Sequence, residues 1–341
     1  MARGAKAAYK GDSRVKILIA VIAALILAIV LLLIFYRAGT ETQTEIVYVT
    51  PEPTAAPEPT PEPTPEPTEE PITEKSAPEG ELTAEDILGN SAVIAHGLGS
   101  TDGVAILNCK EGFLQNYARG VRVFEVDLRF TSDGQVVLRH DWRAGWQDGV
   151  DEGNVPTLEE FMSLPILDEY TPMSFADLLF LMEQYPDICI ITDTKFTDTD
   201  VVVMQFQAML SDAAQLGLSY LFDRIAIQVY NDFMFRAVDN LYHFPYYIYT
   251  LYTVKFDKTE DGFREVAEYC VENGIMAITM DESRWSADFA PLAEEYGVEV
   301  YVHTVDDADY AAELLEGGVS GVYTNVLSEA DILSPVPAAE N

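Results

Sequence analysis

From Leu82 onward, short runs rich in β-branched and aromatic residues alternate with stretches of helical periodicity. That alternation is the pattern of βα units and a parallel sheet, and it excludes an all-α or all-β domain. The strand-like runs are VIAH (Val93–His96), VFEVDLRF (Val123–Phe130), ICIITDTK (Ile188–Lys195), RIAIQVY (Arg224–Tyr230), YYIYTLY (Tyr246–Tyr252), IMAITMD (Ile275–Asp281), VEVYVHTV (Val298–Val305) and GVYTN (Gly321–Asn325). Eight such units in about 250 residues fit one α/β TIM (β/α)8 barrel. A ninth run, VVLRH (Val136–His140), reads as the hairpin return of VFEVDLRF. As a barrel strand in its own right it would make nine candidates for eight places.

Chemistry concentrates between Val93 and Trp142. Strand side chains alternate faces, so Glu125 and Asp127 project together from VFEVDLRF, while Phe124, Val126 and Leu128 suit burial on the other face. Two acids side by side on an apolar strand repel each other unless a cation lies between them, and hard divalent ions seek carboxylate oxygens. A solvated edge face is the competing reading. Asp133-Gly134 between two apolar alternating runs signals a hairpin. A two-residue turn there sets Asp127 opposite His140, which would bring two acids and a histidine to one patch; a hydrogen-bonded structural role is the alternative for His140.

Barrel active sites lie at the carboxyl ends of the strands. His96 ends the first strand, and Asp193 and Lys195 end ICIITDTK on a common face. An acid and a lysine there suit a metal ligand and a phosphate contact, or else a local salt bridge. His303 stands near the barrel mouth, as a substrate contact or as a packed histidine.

The order His96, Asn108 to Phe113 at a helix start, Glu125-Val-Asp127, Ser132-Asp133-Gly134 and His140-Asp141 resembles the glycerophosphodiester phosphodiesterase family of phospholipase-C-like TIM barrels. The likeness runs on through Asp193 to Lys195, Val300 to Asp307 and Gly317 to Asn325, roughly residues 90 to 330. It implies metal-dependent hydrolysis of phosphodiester bonds. It implies His96 and His140 as general acid and base, and one divalent cation, Ca²⁺ or Mg²⁺, held by Glu125, Asp127 and Asp193. Lys195 matches a residue expected near the phosphate. It also implies that a substrate hydroxyl attacks first and gives a cyclic phosphate, which water opens. Two departures stand out. The family's third metal carboxylate is usually the longer Glu, and its first histidine is usually followed by Arg, where this chain has Gly97. Arg129, Arg139, Arg143 and Lys110 are candidates to replace that arginine, and the sequence selects none of them.

Residues 1–16 form a basic tail, and Ile17 to Phe35 is an unbroken apolar run. That run can cross a hydrocarbon core of about 30 Å. The positive flank is N-terminal, so the expected topology is a transmembrane signal-anchor helix over 17–36 with a cytoplasmic N-terminus and an extracellular catalytic domain at the cell membrane. Its apolar core is longer than the roughly 7–15 residues of a cleaved signal peptide. Residues 37–81 are a Pro/Glu/Thr-rich extracellular linker, extended and semi-rigid. The barrel is expected over 82–334, with a tail at 335–341. Cys109, Cys189 and Cys270 read as unpaired small hydrophobes.

The net charge is −37, and a surplus of five positive charges in the first 37 residues leaves the rest at −42. Nucleic acid and anionic bilayers are excluded as electrostatic partners. A phosphodiester substrate then requires a cation that inverts the local field. The expected partners are a small-molecule, lipid or envelope-polymer phosphodiester, and the membrane through the chain's own helix. The alternative is a barrel that holds metal and recognises a phosphorylated ligand without turnover. Gly97 and Asp193 favour that alternative, and retention of both His96 and His140 opposes it.

Overall fold

The computed structural model describes residues 75–333. The expected cytoplasmic tail, membrane helix, most of the linker and the C-terminal tail lie outside the described residues. Among the described residues no helix is long and apolar enough to cross a membrane.

The elements run α1 (Ala84–Leu88), β1 (Val93–Ala95), α2 (Lys110–Ala118), β2 (Val123–Phe130), β3 (Val136–Leu138), α3 (Leu158–Ser163), α4 (Phe175–Gln184), β4 (Cys189–Thr194), α5 (Thr199–Leu216), β5 (Ile225–Val229), α6 (Asp232–Leu241), β6 (Tyr247–Thr250), α7 (Glu260–Asn273), β7 (Ala277–Asp281), α8 (Ala290–Tyr296), β8 (Glu299–His303), α9 (Ala308–Glu316), β9 (Gly321–Thr324) and α10 (Glu329–Leu333). Eight strands pair in parallel, and the β1–β2 and β1–β9 pairings close them into a barrel. Among the strands the ninth, β3, pairs with β2 alone, antiparallel, and stands outside the ring. The count of eight βα units holds because VVLRH is a hairpin return.

The hairpin register differs from the expected one by a residue. Leu128 lies opposite Leu138 and Phe130 opposite Val136. Thr131 N donates to Gln135 O at 2.9 Å, so the loop is the three residues Ser132-Asp133-Gly134, with Gly134 at φ +79°. An Asp-Gly pair serves this loop as readily as a two-residue turn, because its last residue needs the left-handed conformation that glycine adopts freely. Asp127 therefore faces Arg139, whose N–H donates to Asp127 O at 2.8 Å, and His140 lies one step further on.

The strands bury both faces, as a parallel barrel requires. Outward residues such as Phe124, Val126, Leu128, Ile190 and Ile227 pack under the helices. Inward residues Ile94, Val123, Ile191, Ala226, Ile248, Ala277, Tyr301 and Tyr323 form a second cluster with Ala84, Ile87 and Leu88 of α1. Short α1 is fixed by a capping box, in which Thr83 and Asp86 satisfy each other's backbone N–H groups, and it plugs one end of the barrel. Alongside it the buried Glu81–Arg224 ion pair, at 3.0 Å, ties the entering chain to the barrel. The segment between β3 and α4 covers the β2–β3 hairpin with Trp142, Val150 and Phe161 against Val137. All three cysteines are buried and unpaired.

Candidate active site

Glu125 and Asp127 lie on one face of β2, and Asp193 lies level with Asp127 on neighbouring β4. Each of the three is at most 2% exposed. Each offers one carboxylate oxygen to a common point, and these atoms lie within 4.8 Å of one another. The sequence-predicted trio is thus brought together.

Each carboxylate has one oxygen already committed to the protein. Glu125 Oε2 accepts from Gly97 N at 2.6 Å. Asp127 Oδ2 accepts from Asn108 Nδ2 at 2.6 Å, while Asp127 N donates to Asn108 Oδ1 at 2.9 Å, so both ends of the Asn108 amide are fixed. Asp193 Oδ1 accepts from the buried Tyr230 hydroxyl and, at 3.2 Å, from Gln228 Nε2. Tyr323 OH in turn donates to Gln228 Oε1 at 3.0 Å, which sets that amide the right way round. Three oxygens remain: one each from Glu125, Asp127 and Asp193.

Lys195 sits among them. Its Nζ is 2.6 Å from Asp127 Oδ1 and pairs with Asp193 Oδ2. Burial works against its charge, but Asp193, Asp127 and Glu125 outweigh burial and raise its pKa. One ammonium facing three carboxylates still leaves a surplus of two negative charges. Glu125 shows the strain of that surplus: burial first, then the neighbouring Asp127, pushes its carboxyl well above the usual range. An all-oxygen donor set with an excess charge of two and three converging oxygens, two of them shared with the Lys195 ammonium, fits a hard divalent cation.

Tyr230 and Gln228 act on the cation site through Asp193, fixing which of its oxygens turns inward. Tyr230→Phe is expected to weaken Mg²⁺ and Ca²⁺ binding by about tenfold, measured by titration calorimetry, while leaving the melting temperature in chelator close to the parent value.

His96 follows β1 in a tight loop. Gly97 there has φ +56°, and a Cβ on it would lie 2.7 Å from Ile106 Cα. Arginine cannot occupy this position without rebuilding the loop, which accounts for the departure at Gly97. The His96 ring is held by a second relay. Asn325 Nδ2 donates to Asp306 Oδ2 at 2.8 Å, so Asn325 Oδ1 is the end turned to His96 Nδ1, at 3.1 Å. His96 Nδ1 therefore carries the hydrogen, and Nε2 carries the lone pair of the neutral ring.

His140 reaches the same state by a different partner. Its Nδ1 lies 2.9 Å from Asp141 Oδ2. Burial raises the Asp141 carboxyl, but His140 and Arg143 more than offset it and hold the pKa low. A carboxylate in that position accepts a hydrogen bond from Nδ1–H and again leaves Nε2 free. His140 makes no hydrogen bond to the acid cluster among the described residues; backbone pairing of Arg139 with Asp127 sets its place at the rim.

His303, at the end of β8, has its ring 4.8 Å from Tyr252 and 6.2 Å from Tyr323. Burial lowers its pKa to about 4, and its Nε2 is buried without a hydrogen-bond partner. It is a neutral, aromatic-packed histidine beside the site.

Sequence reading missed Asn108 as the clamp on Asp127, Tyr230 and Gln228 as the clamps on Asp193, and the Asp306–Asn325 pair behind His96. The available signal was position: Tyr230 and Asn325 directly follow the ends of β5 and β9, where barrel sites are built.

Residues 108–329 match the Glycerophosphoryl diester phosphodiesterase family. No curated protein matches the chain. Several solved structures share the fold. An Oleispira antarctica phosphodiesterase in complex with the product sn-glycerol-3-phosphate is 17% identical, with a TM-score of 0.58 over 71% of this chain and 95% of that one. A glycerophosphodiester phosphodiesterase from Parabacteroides distasonis is 18% identical, with a TM-score of 0.55 over 69% and 93%. One from Agrobacterium tumefaciens is 13% identical, with a TM-score of 0.52 over 69% and 97%. With more than half its length matched by the family and a closed eight-stranded barrel presenting a buried acidic trio, this chain belongs to the glycerophosphoryl diester phosphodiesterase family, phosphoric diester hydrolases.

Proposed function

We propose that this protein hydrolyses glycerophosphodiesters with His96 and His140 as its acid–base pair and one divalent cation, Ca²⁺ or Mg²⁺, at Glu125, Asp127 and Asp193. The observation that carries the reading is the matched state of the two histidines: each has Nδ1 tied to a fixed acceptor and Nε2 unencumbered. A bound cation would supply Lewis-acid polarisation of a phosphoryl oxygen. The chain's own groups do the rest. One histidine takes the proton of the attacking hydroxyl or water at Nε2, and the other, protonated, gives its proton to the departing oxygen. Lys195 and His303 face the substrate, the lysine as a cation near the phosphate. Asn325 and Asp141 hold the two rings in the tautomer that this transfer needs.

The sn-glycerol-3-phosphate bound by the Oleispira antarctica phosphodiesterase supports a small glycerophosphodiester as substrate. An extracellular domain on an N-terminal membrane anchor is part of the same proposal, supported by the apolar run of residues 17–35 and its basic flank. Such a domain meets envelope glycerophosphate polymers as well as deacylated lipids. Release of alcohol from glycerophosphocholine and from a glycerophosphate polymer, measured side by side, ranks the two classes. Turnover of the small diester at least tenfold faster is expected, and turnover of the polymer alone would reassign the substrate.

A further inference from the structure

We propose that Arg129 is the residue that grips the phosphate of the substrate, an inference that rests on the reading above that the site takes a phosphodiester. Arg129 follows Glu125 and Asp127 at two-residue spacing on β2, so it belongs to the same strand face. Two residues along a strand is roughly 6.6 Å, a phosphate's breadth beyond the carboxylates. Its Nε donates to His140 O at 3.1 Å, and its guanidinium carbon lies 5.5 Å from the centre of the Phe196 ring. These contacts seat the head group at the rim beside the second histidine. Among the described residues neither terminal nitrogen has a hydrogen-bond acceptor, and the side chain is half-buried.

The neighbouring cations are all committed. Lys195 is held between Asp127 and Asp193. Arg143 pairs with Asp141. Arg139 is fully buried, its Nε and Nη1 bonded to Asp141 O and Gln147 Oε1 and its last nitrogen shut off from solvent. Arg129 alone of these keeps an open fork, in a chain of net charge −37. Two parallel N–H groups on a planar cation match two oxygens of a phosphate. The tether through Nε fixes the fork next to the ring that exchanges the proton.

The test uses the full-length chain in detergent, loaded with Mg²⁺, and compares the parent with Arg129→Met, Arg129→Gln and Arg129→Lys. Glycerol 3-phosphate and inorganic phosphate binding are followed by calorimetry, and KM and kcat on glycerophosphocholine are measured separately. Arg129→Met and Arg129→Gln are expected to weaken glycerol 3-phosphate binding and raise KM by about 10- to 100-fold, with Mg²⁺ affinity unchanged. Arg129→Lys is expected to recover part of the loss. A lower kcat with unchanged KM and ligand binding would make Arg129 only a support for the His140 loop and overturn the inference. If the parent binds phosphate through Arg129 but turns over no diester, the inference stands and the hydrolytic reading falls. If the parent is active and phosphate binding ignores Arg129, the reverse holds.

Discussion

His96→Ala and His140→Ala are each expected to lower kcat on glycerophosphocholine by about 100- to 10,000-fold, with melting temperatures close to that of the parent. The size follows from what each ring contributes. Proton transfer in the transition state needs a group whose pKa lies near the working pH and whose reactive nitrogen is correctly placed, and imidazole meets both conditions. His96 is oriented through Asn325 and Asp306, and His140 through Asp141 and Arg143. Neither ring belongs to the barrel's apolar clusters, so truncation leaves the core packing intact. The check is steady-state kinetics alongside thermal melts of both variants. A loss smaller than tenfold in either variant would remove that histidine from the acid–base pair.

Glu125→Gln is expected to uncouple stability from metal. In the parent, burial and Asp127 raise the pKa of Glu125 above its unfolded value of about 4.3. The folded chain therefore binds that proton more tightly than the unfolded chain does. Stability of the metal-free protein falls as pH rises from the unfolded value through the raised folded one, and added cation restores it by neutralising the carboxylate. Glutamine keeps an oxygen for Gly97 N but carries no charge. Metal-free Glu125→Gln should melt at or above the metal-free parent at neutral pH, show a flatter pH dependence above pH 5, and gain little from Mg²⁺ or Ca²⁺. Differential scanning calorimetry across pH 5–8, with and without metal, reads all three. A variant that is still stabilised by metal as strongly as the parent would take Glu125 out of the cation site.

The strands and their order were legible because a parallel barrel buries both strand faces and so writes each strand as an apolar run between helical stretches. Glu125 and Asp127 were legible for the opposite reason: charge inside such a run has no structural excuse. Asp193 and Lys195 were visible as an acid and a base at a strand end. The hairpin register was not, because Asp133-Gly134 is compatible with two loop lengths that differ by one residue in pairing, and one residue decides whether Arg139 or His140 meets Asp127. Partners far apart in the chain were also hidden. His96 meets Asn325 across 229 positions, and only closure of the barrel between β1 and β9 brings them together. Asn108 could be seen only as part of a helix start, yet it precedes α2 at φ +52° with its amide turned to Asp127.

Turnover by this barrel is expected to depend on the cation. The direct measurement takes the full-length chain, strips it with chelator, and follows release of choline from glycerophosphocholine as Mg²⁺ or Ca²⁺ is added back. Background rates are expected without metal, and saturable recovery with one ion per chain, absent in His96→Ala. One ion bound per chain with no recovery of turnover would contradict it and leave a barrel that binds metal and ligand without hydrolysis.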